Sequence, residues 1–326
     1  MMYKKIVFTA TVLAFLLVML GAFVRLSDAG LGCPDWPGCY GQVLAPHSAK
    51  SLQSIVEAFP EQKIEPAKAW KEMAHRYVAG ILGLLILTIA ILAWTQRRAL
   101  GQSPWLASSL VGLVIFQAAL GMWTVTLLLK PAIVTLHLLG GMATLALLTW
   151  LLLKRRRGHA RGPYGFRFKA FGWVSLVVVF GQIALGGWVS ANYAVLGCLD
   201  FPTCKSLWVP TMDFNHAFHV TRDLGKTASG ELLSNDSLTA IHWVHRVGAL
   251  ITLLVVGVFA LVCLKPWPLR IFGLAALILL TTQIGLGITN VLSSLLLPVA
   301  VAHNGVAALL LITIVVLNFR INSPSA

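Results

Sequence analysis

The sequence predicts an all-α integral membrane protein, with eight transmembrane helices arranged as two tandem four-helix bundles related by a pseudo-twofold axis. Three observations predict it. Of the 326 residues, 58% are hydrophobic and only 11% are charged, against about 25% charged in an ordinary soluble domain. The apolar residues fall into eight stretches, each near the roughly 20 residues that a spanning helix needs. The end of the first stretch, cysteines included, recurs at the end of the fifth.

The stretches cover about 6–25, 74–94, 105–128, 132–153, 170–190, 239–263, 271–294 and 298–318. The first, preceded by Lys4-Lys5, has the look of a secretory signal. Its length and its repeat partner, the fifth helix, argue that it is retained as a membrane span. Charge supplies the orientation. All eleven Asp and Glu residues lie in 28–72 and 200–236. The densest basic run, Lys154-Arg155-Arg156-Arg157, lies in neither segment. Lys4, Lys5, Arg97, Arg98, Arg161, Arg167, Lys169, Lys265, Arg270 and Arg320 fall on its side if the helices alternate. This is the positive-inside pattern. It predicts cytoplasmic termini and two long acidic loops outside. The net charge of +14 therefore reflects topology and contact with anionic membrane lipid rather than nucleic acid.

The repeat aligns LGAFVRLSDAGLGCPDWPGC (20–39) with LGGWVSANYAVLGCLDFPTC (185–204), without a gap. It pairs Gly21 with Gly186, Gly32 with Gly197, Cys33 with Cys198, Asp35 with Asp200, Pro37 with Pro202 and Cys39 with Cys204. His75-Arg76 is answered by His245-Arg246, Gln117 by Gln283 and His137 by His303. The halves are 1–158 and 170–326, joined by a basic linker, 159–169. Each half starts on the same side, so the symmetry axis runs along the membrane normal. Recurring glycines, Gly80, Gly83, Gly112, Gly121, Gly140, Gly141, Gly186 and Gly187 among them, suit close helix packing in lipid.

Five of the nine histidines belong to helices: His75, His137, His242, His245 and His303. An ionisable residue within a membrane marks a functional site by default. Four obey the repeat, on the second and fourth helix of each half. Those helices are diagonal in an up-down bundle, and each carries its histidine near the outer end. Two imidazoles facing one another at one depth provide the two axial ligands a haem requires. Hydrogen-bonded packing histidines are the alternative, weakened by the fourfold recurrence. A di-iron site would need more carboxylates than Glu72, and a zinc site needs its ligands gathered at one point. Arg76 and Arg246 follow a ligand histidine in each half. They suit haem propionates or simple snorkelling to the interface.

The halves differ three residues before the ligand, where Glu72 in the first is replaced by His242 in the second. Positions i and i+3 share a helix face, so Glu72 lies near the pocket of His75. A carboxylate there can act as general acid or base. Alternatively it is an N-terminal helix charge favoured by the macrodipole. The asymmetry suggests that one half holds a substrate and the other an electron-transfer haem. Cys33 and Cys39, and again Cys198 and Cys204, are spaced C-x5-C in the outer loops. Loop staples, Cys33–Cys39 and Cys198–Cys204, are favoured over a thiol–disulfide relay. Cys263 reads as packing within a helix.

With Glu72-Met73-Ala74-His75-Arg76, Cys33-Pro-Asp-Trp-Pro-Gly-Cys39, His137, His245-Arg246 and His303 in this order, the chain resembles the haem A synthase family over nearly its whole length. The resemblance implies a bacterial enzyme of the cytoplasmic (inner) membrane, with its haem sites toward the outer face. It would oxidise a ring methyl of haem O to a formyl group, giving haem A for haem-copper oxidases. His75 and His137 would bracket the substrate haem, Glu72 would assist the chemistry, and His245 and His303 would hold a haem b cofactor. The implied partners are haem O, the farnesyltransferase that makes it, the haem-copper oxidase assembly and an electron donor the sequence does not identify. His242, His216 and His219 have no place in this scheme; the loop pair His216 and His219 could at most bind a metal adventitiously. The rival readings are a bis-His cytochrome for quinol-linked electron transfer, a haem carrier or assembly factor, and a thiol oxidoreductase.

Overall fold

The computed structural model describes residues 2–46, 49–59, 64–154 and 164–322. His47, His159, Arg155 to Arg157, Arg161 and the first part of the linker 159–169 lie outside the described residues. The helices are α1 (Met2–Leu26), α2 (Ala49–Ala58), α3 (Pro66–Thr95), α4 (Arg97–Leu100), α5 (Trp105–Thr126), α6 (Pro131–Leu153), α7 (Phe166–Ala191), α8 (Phe214–Ala217), α9 (Asn235–Cys263), α10 (Arg270–Leu292) and α11 (Leu297–Asn322). Eight of them, all but α2, α4 and α8, are long and apolar enough to cross a membrane. The protein is a multi-pass membrane protein, as its composition predicts.

Four helices, α1, α3, α7 and α9, start four or more residues before the apolar stretch that announces them, and the starts of α3 and α9 bear on the loops. The second was expected from about residue 74, yet α3 begins at Pro66, with proline in its first turn. The fixed φ of proline and its missing N–H suit that position. Likewise α9 begins at Asn235, capped by the Ser234 side chain, which accepts from Ser237 N–H. Hydropathy marks the segment immersed in lipid, and these helices run on past it into the loop layer. Glu72 is consequently an interior helical residue, not a first-turn charge.

Helices α1, α3, α5 and α6 pack in a closed ring, each against the next, and α7, α9, α10 and α11 form a second ring in the same order. The rings meet through α1 on α11, α6 on α7, and α6 on α11. One apolar cluster runs through both, including Ile86, Leu145, Phe259 and Ile314. Polar links cross the junction. Asn304 donates to the Val18 carbonyl at 3.3 Å. At the cysteine-bearing end, the Arg25 guanidinium donates to Tyr193 Oη at 2.8 Å and to the Ser190 carbonyl at 2.9 Å.

That end is capped by two loops built alike. Cys33 is bonded to Cys39 and Cys198 to Cys204, with Cα separations of 4.8 and 5.0 Å. The Asp35 carboxylate accepts from Tyr40 and Gly41 N–H, and Asp200 from Lys205 and Ser206 N–H. The Ser206 N–H, with the Thr203 hydroxyl and the Lys205 N–H, holds the Asp200 carboxyl down to about 2. Gly32 and Gly197 set each loop on the helix that follows. A Cβ at Gly32 would lie 2.5 Å from the backbone carbon of Lys68, and one at Gly197 would lie 2.7 Å from the Thr239 nitrogen. The obstacle is backbone in both cases, so the loop itself must move to admit a methyl group. Gly32→Ala is expected to cost about 2 kcal/mol, in the range of overpacking changes. A thermal melt of the detergent-solubilised protein should show a midpoint several degrees lower; an unchanged midpoint would mean that the loop is free to lift.

Candidate functional site

Each of the four repeat-related histidines points at a glycine on the neighbouring helix of its own ring. A Cβ at Gly21 on α1 would lie 3.1 Å from His75 Nε2 on α3. One at Gly121 on α5 would lie 3.4 Å from His137 Cε1 on α6. In the second ring, Gly186 on α7 faces His245 on α9, and Gly287 on α10 faces His303 on α11, both at 3.2 Å by the same measure. All four imidazoles keep partial exposure, so they border open space and are not packed solid. Their helices, α3 with α6 and α9 with α11, occupy opposite corners of the two rings.

The His75 and His137 ring centres are 6.3 Å apart, with planes at 60°. Two imidazoles holding one metal atom at roughly 2 Å, each with its nitrogen about 1 Å from the ring centre, would stand about 6 Å apart. The pair therefore has the separation that axial ligation by two histidines requires, and glycine supplies a flat wall beside each ring. In the second ring, His303 Nδ1 is buried without a hydrogen-bond partner, which suits a group that takes a ligand there. Cradle, separation and orphaned nitrogen together fit the neutral imidazole chemistry of haem ligation.

Glutamines fix the rings. Gln182 Nε2 lies 3.1 Å from His245 Nδ1 and donates to the His245 carbonyl at 3.0 Å. Gln283 Nε2 lies 3.1 Å from His303 Nε2. With its carboxamide turned to satisfy both ends, Gln117 stands 3.0 Å from His137 Nδ1. Such partners set the orientation of a ligand ring. His75 differs: the repeat position corresponding to Gln182 is Leu17, and among the described residues no side chain hydrogen-bonds to its ring. Of these glutamines, the repeat pairs Gln117 with Gln283 and leaves Gln182 out; nothing in their spacing showed that they reach a histidine.

Glu72 is 6% exposed. Its Oε2 accepts from Cys33 N–H at 2.9 Å, and its Oε1 pairs with Arg76 at 2.5 Å. Arg76 also donates to the carbonyls of Asp35 at 2.9 Å, Pro37 at 3.2 Å and Gly38. Arg246 does the same in the second half, reaching Thr203 at 2.7 Å, Cys198 at 3.1 Å and Asp200 at 2.8 Å. Both arginines are thus spent on the disulfide loops, a use that neither propionate pairing nor snorkelling anticipates. In place of Glu72, the second half has His242, 3% exposed, with Nδ1 unpartnered. Among the described residues, the first half carries a carboxylate one turn before its α3 histidine, where the second half carries His242.

The remaining loop histidines stay apart. His216 Nδ1 lies 2.6 Å from Asp213 Oδ2, and this contact holds the Asp213 carboxyl below its usual range. His219 Nδ1 lies 3.1 Å from the Thr221 hydroxyl. Among the described residues, no group of three or more His, Cys, Asp or Glu gathers as a metal site.

Known proteins resemble the chain over most of its length. A family described as cytochrome oxidase assembly protein matches residues 4–315. A protein of Shewanella oneidensis named haem A synthase is 42% identical over 310 residues, covering 94% of this chain and 93% of that one. One of the same name from Halalkalibacterium halodurans is 27% identical over 330 residues, 95% of this chain and 94% of its own. A third, from a Caulobacter species, is 25% identical over 339 residues, covering 97% and 95%.

Proposed function

The chain belongs to the cytochrome oxidase assembly protein family, and on that premise we propose that it works as a haem A synthase, oxidising a ring methyl of haem O to a formyl group. The observation that carries the reading is the pairing of two equivalent histidine cradles with a single carboxylate. Residues 1–158 form the substrate half, with His75 and His137 as axial ligands to haem O. Residues 170–326 form the cofactor half, with His245 and His303 holding haem b. The termini are cytoplasmic, and both sites open toward the outer face of the cytoplasmic membrane. Haem O comes from a membrane farnesyltransferase, electrons come through a separate donor, and the product passes to a haem-copper oxidase.

Bound haem iron supplies the oxidising chemistry that side chains lack. The chain's own residues orient and tune. Gly21 and Gly121, having no side chain, leave room for the His75 and His137 rings to stand against α1 and α5. Arg76 and Cys33 N–H fix the Glu72 carboxylate on the helix face of His75. Glu72 would take up at Oε2, the atom held by Cys33 N–H, a proton released as the methyl group is oxidised, while Oε1 stays on Arg76. Such a positioned base accelerates proton transfer about 10²–10⁴-fold. In the second half His242 stands where Glu72 would be, so that haem is held without a carboxylate to act on it.

The test is to purify the protein from cells supplied with haem O, extract the pigment and separate it by reverse-phase chromatography. Haem A or its hydroxylated precursor is expected beside haem b. Only unmodified haem b, in two spectrally equivalent bis-histidine sites, would replace this reading with that of an electron-transfer cytochrome.

A further inference from the structure

The acidic propionates of a haem O held by His75 and His137 need a cation near the cysteine-bearing end, and Arg76 is already committed to Glu72 and three loop carbonyls. Of the other basic side chains described at that end of the first half, Arg25 lies against Tyr193 and Asp28, Lys68 pairs with Glu65 and Lys130 with Asp223. Lys71 makes no ion pair among the described residues. Resting on the substrate assignment above, we propose that Lys71 binds a carboxylate of the substrate haem.

Placement supports it. Lys71 and His75 are i and i+4 on α3, hence on one face and one turn apart, with Lys71 nearer the cysteine-bearing end. Across the same seam, α1 offers Gly21 to His75 and, two residues on, Phe23 to Lys71, whose Nζ lies 5.1 Å from the ring centre. Lys71 thus stands one turn from the ligand imidazole, on its cysteine-bearing side, with its ammonium over the Phe23 ring, within reach of a carboxylate carried by a haem that His75 would hold. Lys71 is half-buried, so a carboxylate bound there is partly desolvated and the charge-assisted bond is strengthened.

The second half is built otherwise. Its counterpart to Lys71 is Ile241, 1% exposed, and its counterpart to Phe23 is Trp188. The cation over Trp188 is Arg222, 2% exposed and tied to Asn192 Oδ1 at 2.5 Å. A buried, fastened arginine suits a group that stays. A lysine that makes no ion pair among the described residues, near a histidine that no glutamine holds, suits a substrate that must enter and leave.

The test titrates haem O and haem O dimethyl ester, which has lost the carboxylate charges, into protein already carrying its second-half haem, following the bis-imidazole Soret band. Lys71→Ala should bind haem O about tenfold more weakly, Lys71→Arg should recover most of that loss, and the diester should bind wild type and Lys71→Ala alike. His75→Ala is the control for the site. If His75→Ala loses the band and Lys71→Ala binds haem O as wild type does, Lys71 faces lipid headgroups and the proposal is wrong. Equal weakening toward haem O and the diester would also overturn it, because the side chain would then be acting on the fold. If His75→Ala binds haem O unchanged, the substrate assignment fails, and the Lys71 proposal with it.

Discussion

Glu72→Gln is expected to bind haem O and leave it unconverted, with formation of haem A slowed about 10²-fold or more. Glutamine is the informative change. Its single carbonyl oxygen can accept from Cys33 N–H or from Arg76, though not from both, and its volume fills the same buried place. Alanine would also strip a buried partner from Arg76, which can cost about 3–5 kcal/mol when one half of such a pair is removed. With glutamine, Arg76 keeps its three loop carbonyls, so the loop should remain seated. The measurement is the ratio of haem O to haem A in extracted pigment, together with the Soret band of bound haem O. Accumulated haem O with normal binding isolates the loss to the chemical step. Conversion at the wild-type rate would reduce Glu72 to a clasp between α3 and the disulfide loop.

Most of the fold was legible because lipid leaves the backbone few choices. A spanning segment must satisfy its own hydrogen bonds, so eight apolar stretches become eight helices, and the repeat predicts that each half is built alike. What hydropathy missed lies where helices leave the lipid. The polar starts of α3, with Pro66 in its first turn, and of α9, with its Ser234 cap, carry no apolar run. The candidate site was legible to the depth of its histidines, because ionisable residues stand out in apolar helices and the repeat makes their recurrence visible. Their surroundings were not. Gly121 and Gly186 read only as generic helix-packing residues, since spacing alone cannot show that a glycine meets an imidazole on another helix. The pairing of Glu72 with Arg76 follows from their i, i+4 positions. The carbonyls that Arg76 and Arg246 reach belong to loops whose course depends on a disulfide and on tertiary contacts. Lys71 was passed over for a related reason: a lysine near a membrane surface is unremarkable until the other cations beside it are found to be engaged.

His245→Ala is expected to lower the haem content from about two per chain to about one, leaving haem O bound in the first half and unoxidised. The halves are separate rings that touch along α1 with α11, α6 with α7, and α6 with α11, so removing one ligand should not reach the other cradle. The Gly186 wall and Gln182 remain in place, and the vacated imidazole volume invites rescue by free imidazole. Loss of an outer partner of a metal ligand costs about 10–100-fold in affinity or activity, so loss of the ligand itself should exceed that. His75→Ala is the mirror experiment: it should keep the second-half haem, lose haem O and show no conversion, because the substrate is absent. Pyridine haemochrome content and reverse-phase identity of the retained pigment separate the two variants. The distinction matters for mechanism. If His245→Ala kept making haem A at the wild-type rate, the second haem would be structural and electrons would have to reach the first site by another route. If both variants lost both haems, the two cradles would be one cooperative unit, and the assignment of separate roles to the halves would fall.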